Sequence, residues 1–284
     1  MAELVDGKKI ADRILNELKI DISKLHAAGI FPRLVVFLVG EDPASVAYTK
    51  IKKKRAEEIG LKVDLISFPA SVTRDELKGA IAKANKEKDV SGILVQLPLP
   101  DGLPAQEILD TVSPDLDVDC LNSSNKRSLI EGRVRFYPPA AAAILRILED
   151  YDVRLDGHIV LAGSGQLIGK PLAAMLLRKK ISFEIANRQT ENFAALAAKA
   201  DILISAAGKP GLITGDIVKP GAVVIDAGAA GSETGGIVGD VDVPSVSEKA
   251  RLLAAVPGGV GPVTVAILIQ NAVKSAERRA KLTP

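Results

Sequence analysis

The strongest constraint on this chain is an alternation that occurs twice: short runs of Val, Ile and Leu, each followed by a stretch with helical spacing. In the first half the runs are RLVVFLVG at 33–40, KVDLISF at 62–68 and GILVQLPLP at 92–100. Helical periodicity precedes and separates them. Residues 8–27 carry Ile10, Ile14, Leu15, Leu18 and Leu25 on one face, 44–59 follow Pro43, and Thr73–Glu87 opens on a TRDE capping-box pattern. Apolar strands connected through helices must run parallel, and a parallel sheet needs helices on both faces. The second half repeats the theme. HIVLAG, ISFEIA, ADILISAAG and GAVVIDAG read as strands, with helices at LAAMLLRKK and ENFAALAAKA between them. That is a βαβαβ nucleotide-binding pattern, and ligands of such open sheets bind at the carboxyl ends of the strands.

Between the halves, residues 113–137 are polar and without periodicity and read as one long loop, and loops of that length in compact folds carry function. PPAAAAILRILEDY then makes a connecting helix with proline at its start. VPGGVGP at 256–262 is a rigid turn, and VTVAILIQNAVKSAERR behind it is an amphipathic helix expected to pack on the first domain.

Composition removes several function classes. A net charge of +2 over 284 residues gives no general electrostatic case for nucleic acid, and 3% aromatics with no Trp give no base-stacking platform. One cysteine, Cys120, and two histidines, His26 and His158, exclude a four-ligand Cys/His zinc site and an internal disulfide. The N-terminus lacks an apolar signal core, and no stretch is long and apolar enough to span a bilayer, so the expectation is a cytoplasmic protein without membrane attachment.

The candidate chemistry begins at VAYTKIKKKR, 46–55. With Tyr48 at zero on a helical wheel, Lys52 falls at ~40°, Arg55 at ~340°, Ile59 at ~20° and Ile51 at ~300°. Lys50, Lys53 and Lys54 fall between ~140° and ~240° and read as solvated charges. Lys52 shares the inward face with Tyr48, where desolvation lowers a lysine pKa and suits it to acid–base work; the alternative is a lysine snorkelling at the rim. A Tyr-x-x-x-Lys pair also marks short-chain dehydrogenases, but there it follows the dinucleotide fold, whereas here it precedes it. Gln96 ends a buried strand and must find partners, either Lys52, a ligand or the strand end itself. DLDVD at 115–119 lacks the rest of an EF-hand and reads as a pocket aspartate for a ring edge or as loop capping. GSGQLIGKP at 163–171 is Gly-x-Gly-x-x-x-Gly directly after a strand and opening a helix, where a pyrophosphate meets backbone N–H groups. Arg188, at the end of the second strand of that half, suits a ribose 2′-phosphate, which favours NADP over NAD.

Taken together, Tyr48-x-x-x-Lys52, Val95-Gln96-Leu97-Pro98-Leu99, Asp117-Val118-Asp119, Gly163 with Gly169 and Pro171, ADILISAAGKPGLITGDIVKPGAVVIDAG, IVGDVD and VPGGVGP occur in one order and spacing. The chain resembles, over nearly its whole length, the bifunctional methylenetetrahydrofolate dehydrogenase/methenyltetrahydrofolate cyclohydrolase (FolD) family. The resemblance implies two α/β domains around a cleft, the second a Rossmann-like doubly wound parallel sheet. It implies a folate-binding catalytic domain at 1–138 completed by a helix at 263–284, and an NAD(P)-binding domain at 139–262. It implies hydride transfer from 5,10-methylenetetrahydrofolate to NADP (or NAD), then hydrolysis to 10-formyltetrahydrofolate, by a homodimer. Carried over by position, Lys52 is the acid–base group, Tyr48 positions the folate, Gln96 tunes Lys52 and Asp119 binds the pterin edge. Leu97, Pro257, Gly258 and Gly259 line the folate side. Gly163, Ser164, Gly165, Leu167, Ile168, Arg188, Ala207 and Gly208 line the dinucleotide side.

The departures from the family pattern are local. Cys120 stands where the family has Gly after Asp-Val-Asp, and Pro139-Ala140-Ala141-Ala142-Ala143 replaces Cys-Thr-Pro-x-Gly after Pro138. Ser164-Gly165 replaces Arg-Ser, Asn187-Arg188 replaces His-Ser, and Ala254-Ala255 replaces Thr-Pro. A folate-binding or cyclohydrolase-only relative with altered dinucleotide use is the competing expectation.

Overall fold

The computed structural model describes residues 1–231 and 236–282. Its elements run β1 (Glu3–Leu4), α1 (Gly7–Ala27), β2 (Arg33–Val39), α2 (Pro43–Glu57), β3 (Lys62–Phe68), α3 (Arg74–Ala84), β4 (Val90–Val95), α4 (Ala105–Leu109), α5 (Ser123–Glu131), α6 (Pro139–Asp150), β5 (Ile159–Ala162), α7 (Gly169–Arg178), β6 (Glu184–Ala186), α8 (Phe193–Ala197), β7 (Ile202–Ser205), β8 (Val223–Asp226), β9 (Ala230–Gly231), β10 (Ile237–Val238), α9 (Val243–Ser247), β11 (Leu252–Ala254) and α10 (Val260–Leu282). The chain forms two compact units, residues 12–138 with 265 onward, and residues 1–11 with 139–264.

In the unit built on residues 12–138, β3, β2 and β4 form a parallel sheet in that order. Central β2 is buried from Leu34 to Val39 and β4 along its whole length, as expected for strands covered on both faces. Val35, Phe37, Val39, Ile93 and Val95 meet Leu77 and Ile81 of α3 in one apolar core. Sequence-coded caps set the helix starts. Asp42 accepts the Ser45 N–H ahead of Pro43 at the start of α2, and Thr73 and Glu76 form the reciprocal capping box of α3.

The other unit holds a six-stranded parallel sheet in the order β1-β11-β8-β7-β5-β6. The chain leaves β5 to one side for β6 and returns to the other for β7. The topological switch therefore lies at the carboxyl ends of β5 and β7. Val160, Leu203, Val224 and Leu253 supply one side of the core, with Ile213, Val241 and Val246 packed on them.

Three features differ from the sequence expectation. The region 113–137 is not one irregular loop, because α5 lies inside it, capped by Asn122 and ended by Gly132 at φ 87°. Its nine residues are too few for helical periodicity to register. Glu3–Leu4 joins the large sheet as an edge strand beside Leu252–Ala254, so the first eleven residues belong with the 139–264 unit. Strands of two and three residues have too little pattern to read. Helix α10 starts three residues before Val263 and is divided between the units after Thr264.

Candidate active site

The Lys52 site is built from two segments that the parallel sheet brings together. Helix α2 follows β2, and Gln96 follows β4, the neighbouring strand. The Gln96 N–H donates to Phe37 O at 2.9 Å, which extends the β2–β4 ladder by one residue and sets the amide at the strand end.

The buried line of α2 is Ser45, Thr49, Lys52 and Ala56. On the Tyr48-based wheel these lie at ~60°, ~100°, ~40° and ~80°. The inward face is thus centred about 70° from Tyr48, and it is polar rather than apolar. Ile51, expected near that face, is 51% exposed, and Tyr48 and Arg55 flank the buried line half-buried. Lys50 and Lys54 are exposed, and Lys53 pairs with Glu57 at 3.7 Å. Lys52 is the one lysine drawn in, at 5% exposure.

Its ammonium donates to Gln96 Oε1 at 2.9 Å. The Gln96 amide is held for this task, because its Nε2 donates to Leu97 O at 2.7 Å and so turns Oε1 toward Lys52. The Lys52 nitrogen also lies 4.5 Å from the centre of the Tyr48 ring, on its face. Burial lowers the Lys52 pKa from the usual lysine value, and the charge of Asp119 partly offsets this. The same crowding raises the Tyr48 phenol and the Asp119 carboxyl, the first helped by Asp119 and the second opposed by Lys52. Tyr48 and Asp119 still keep part of their surface open to solvent. The arrangement is a desolvated amine with one fixed acceptor, an aromatic face and one acid.

The three carboxylates of DLDVD separate by role. Asp115 pairs with Arg135 at the surface. Asp117 turns inward, accepting from Leu121 N, Asn122 N and Asn125 Nδ2 at 3.2, 2.8 and 2.9 Å. Burial nevertheless pushes its carboxyl up to about 6. Asp119 is left facing the charge of Lys52. The segment is docked on β4 by Ile93 N to Leu116 O at 2.7 Å and on α10 by Asn271 Nδ2 to Val118 O at 2.8 Å. Close approach needs Gly92, where a Cβ would stand 2.8 Å from Val118 Cγ1. Cys120 follows in the left-handed conformation, φ 59°, with its thiol buried. Sequence reasoning did not reach Asn271 or Gly92, because their partners lie far away in the chain.

In the second unit Pro257, Gly258 and Gly259 form a turn after β11. Gly7 is its neighbour. The Gly7 N–H donates to Gly258 O at 3.0 Å, and a Cβ on Gly7 would lie 1.9 Å from Gly259 O.

The glycine-rich stretch lies where the strand–turn–helix reading put it, between β5 and α7. Gly163 has φ 116° and sits against the loop after β7, where a Cβ would be 2.4 Å from Ala206 O. A Cβ on Gly169 would be 2.2 Å from Gly163 O, so the helix start can come this close only without side chains. Helix α7 begins at Ile168 with no side-chain cap, leaving its positive end open. Ser164, Gly165 and Leu167 are exposed, as are Ala207 and Gly208 on the adjacent loop. Arg188 is exposed just past β6 and pairs with no carboxylate among the described residues. An uncapped helix end, a strand–helix turn closed glycine against backbone and a free guanidinium fit a phosphorylated dinucleotide.

Two family models match the chain, one in each half. The family described as "Tetrahydrofolate dehydrogenase/cyclohydrolase, catalytic domain" matches residues 5–119, and "Tetrahydrofolate dehydrogenase/cyclohydrolase, NAD(P)-binding domain" matches residues 138–280. The chain is 40% identical to a protein of Nautilia profundicola named "Bifunctional protein FolD", over 98% of each chain. It is similar to the crystal structure of the bifunctional FolD enzyme from Campylobacter jejuni, with TM-score 0.93 and 38% identity over 98% of this chain and 100% of that one. It is also similar to the Trypanosoma brucei methylenetetrahydrofolate dehydrogenase-cyclohydrolase, solved with NADP cofactor and inhibitor, with TM-score 0.94 and 31% identity over 99% of both chains.

Proposed function

The chain belongs to the tetrahydrofolate dehydrogenase/cyclohydrolase family, and on that premise we propose that it oxidises 5,10-methylenetetrahydrofolate with NADP and hydrolyses the methenyl product to 10-formyltetrahydrofolate. The observation that carries this is the buried Lys52–Gln96 pair beside Tyr48, with Asp119 coupled to the amine by charge.

Desolvation makes Lys52 give up its proton more readily than a surface lysine, so a neutral amine is available as a base. In the hydrolytic step Lys52 takes a proton from water as the water oxygen bonds to the methenyl carbon. The resulting ammonium is stabilised by Gln96 Oε1, by the Tyr48 ring face and by the Asp119 charge. It then returns that proton to the ring nitrogen, whose bond to the carbon breaks, while the hydroxyl left on the carbon loses its proton to solvent as the formyl C=O forms. The half-buried Tyr48 phenol, its pKa raised by desolvation and by Asp119, stays protonated and positions the folate as a neutral donor. Asp119 and Leu97 are the folate contacts of the unit built on residues 12–138, and Pro257, Gly258 and Gly259 those of the other unit.

Gly163, Ser164, Gly165, Leu167, Ile168, Ala207 and Gly208 hold the dinucleotide. Bound there, NADP supplies the hydride acceptor for the first reaction. Arg188 takes the 2′-phosphate, which selects NADP over NAD. The protein acts as a homodimer through the nucleotide unit, a reading supported by exposed Leu177 and by Ile185 on β6, the open edge of the six-stranded sheet. No helix among the described residues is long and apolar enough to cross a membrane, and the expected site of action is the cytoplasm.

The test is spectroscopic, with methylenetetrahydrofolate and each nicotinamide nucleotide. Reduction of NADP in preference to NAD is expected, and reduction of neither would overturn the dehydrogenase half. Lys52→Met should abolish methenyltetrahydrofolate hydrolysis; full retained hydrolysis would refute the role given to Lys52. Hydrolysis with no binding of either nucleotide would support the cyclohydrolase-only alternative motivated by Ser164 and Pro139-Ala143.

A further inference from the structure

The IVGDVD segment takes no part in the chemistry above, yet its Asp240 and the Asp226 that ends β8 are fully buried acids. Asp240 and Asp226 are both 0% exposed. An isolated buried carboxylate is costly unless donors surround it. The donors around Asp240 are not cations. They are the Ser205 hydroxyl at 2.7 Å and the backbone N–H groups of Ala207, Gly208 and Lys209 at 2.8, 3.3 and 2.6 Å. All four come from the end of β7 and the exposed loop after it.

Asp226 in turn fixes Asp240. It accepts from Asp240 N and Val241 N, both at 3.0 Å, and from Gly228 N at 2.9 Å. The packing admits no other residue type at two glycines. A Cβ on Gly228 would stand 2.3 Å from Asp240 Oδ1, and one on Gly239 1.9 Å from Asp226 Oδ2. The two acids thus form a rigid relay from the end of β8 to the loop after β7, which touches Gly163 through Ala206 O.

This changes what the loop can offer a ligand. Three successive N–H groups in a loop are commonly an anion site, but here Asp240 consumes all of them. The carbonyl oxygens of Ala207 and Gly208 accept no hydrogen bond among the described residues. The loop therefore presents acceptors, backed by a buried negative charge.

We propose that Asp240 is a positioning residue for the dinucleotide: it fixes Ala206–Lys209 so that the loop receives donor groups, ribose hydroxyls or a carboxamide, and leaves phosphate to the open end of α7. This rests on the dinucleotide reading above. Asp240→Asn keeps the shape but turns an amide donor toward N–H groups that need an acceptor. A charge-assisted bond lost in this way corresponds to about a tenfold rise in the NADP dissociation constant.

Calorimetric titration of NADP into the full-length wild type and Asp240→Asn tests this, with methenyltetrahydrofolate hydrolysis measured on both. The expected result is about a tenfold weaker NADP binding in the variant with hydrolysis changed less than about twofold. Equal affinity in the two proteins would overturn the inference, as would equal losses in NADP binding and hydrolysis, which mark general damage. If Asp240→Asn does not fold, Ser205→Ala replaces it, with about a threefold loss expected and no loss counting against the proposal. Amide exchange on the wild type adds a readout independent of any variant. The 207–209 amides should be protected although the loop is exposed, and solvent-like exchange would overturn the anchoring. A wild type that binds no NADP would refute the dinucleotide reading itself, whereas wild-type binding unchanged in the variant refutes only the role of Asp240.

Discussion

Gln96→Glu isolates the electrostatic part of the proposed mechanism. The substitution keeps shape and reach but puts a carboxylate where Gln96 Oε1 stands, 2.9 Å from the Lys52 nitrogen. At an effective dielectric of about 20, that separation corresponds to an attraction of ~6 kcal/mol between unit charges, equivalent to ~4 pKa units if all of it stabilised the ammonium. The new acid is buried at the same place and loses part of this to its own desolvation, so a rise of ~2 units is the working expectation. The sign follows from the base role. Hydrolysis increases as pH rises through the Lys52 pKa, which burial holds below the ordinary lysine value. Raising that pKa moves the acid limb of the profile to higher pH, and a ~2-unit shift costs about a hundredfold at a pH below both values. The assay is the loss of methenyl absorbance from about pH 6 to 10, with NADP affinity as a control. A Gln96→Glu profile lower in amplitude but unshifted along the pH axis would refute the reasoning, because it would mean that Lys52 does not titrate in the rate-determining step.

Other expectations follow from the same geometry. Lys52→Met replaces a desolvated amine at 5% exposure by an apolar chain of similar length, so the variant that loses hydrolysis should be as stable as the wild type or more stable by about 1 kcal/mol, read as midpoint in urea. Asp117 has a carboxyl raised to about 6, above its unfolded value near 3.9. Its contribution is therefore fully present below about pH 4 and lost as pH rises through about 6, at most ~3 kcal/mol. Urea unfolding at pH 4.5 and 7.5 should show the wild type losing stability relative to Asp117→Asn as pH rises, and a pH-independent difference would contradict this. Gly7→Ala places a methyl 1.9 Å from Gly259 O, a backbone atom that cannot rotate away. It should destabilise by ~2–4 kcal/mol in thermal melts and raise the KM for folate more than that for NADP.

The local chemistry of this protein was legible in its sequence wherever it rests on periodicity or short-range spacing. Apolar runs long enough to be buried on both faces announced β2, β4, β5, β7 and β8, and the wheel separated Lys52 from Lys50 and Lys54. The capping box at Thr73 and the glycines at Gly163 and Gly169 lie where they were expected, because caps and tight turns depend on neighbours within a few residues. The true centre of the α2 face was not legible. Its buried line holds Ser45 and Thr49 rather than Ile51, since the choice depends on what packs over the helix and not on the hydrophobicity of the helix itself. The tertiary structure chose Lys52 among the partners open to Gln96, and it alone docked Asn271 on Val118, set Gly7 against Gly259 and gave Asp240 to the amides of Ala207, Gly208 and Lys209. A side chain records what it can donate or accept, but which distant partner it meets is decided by strand order and by where glycine lets two backbones close.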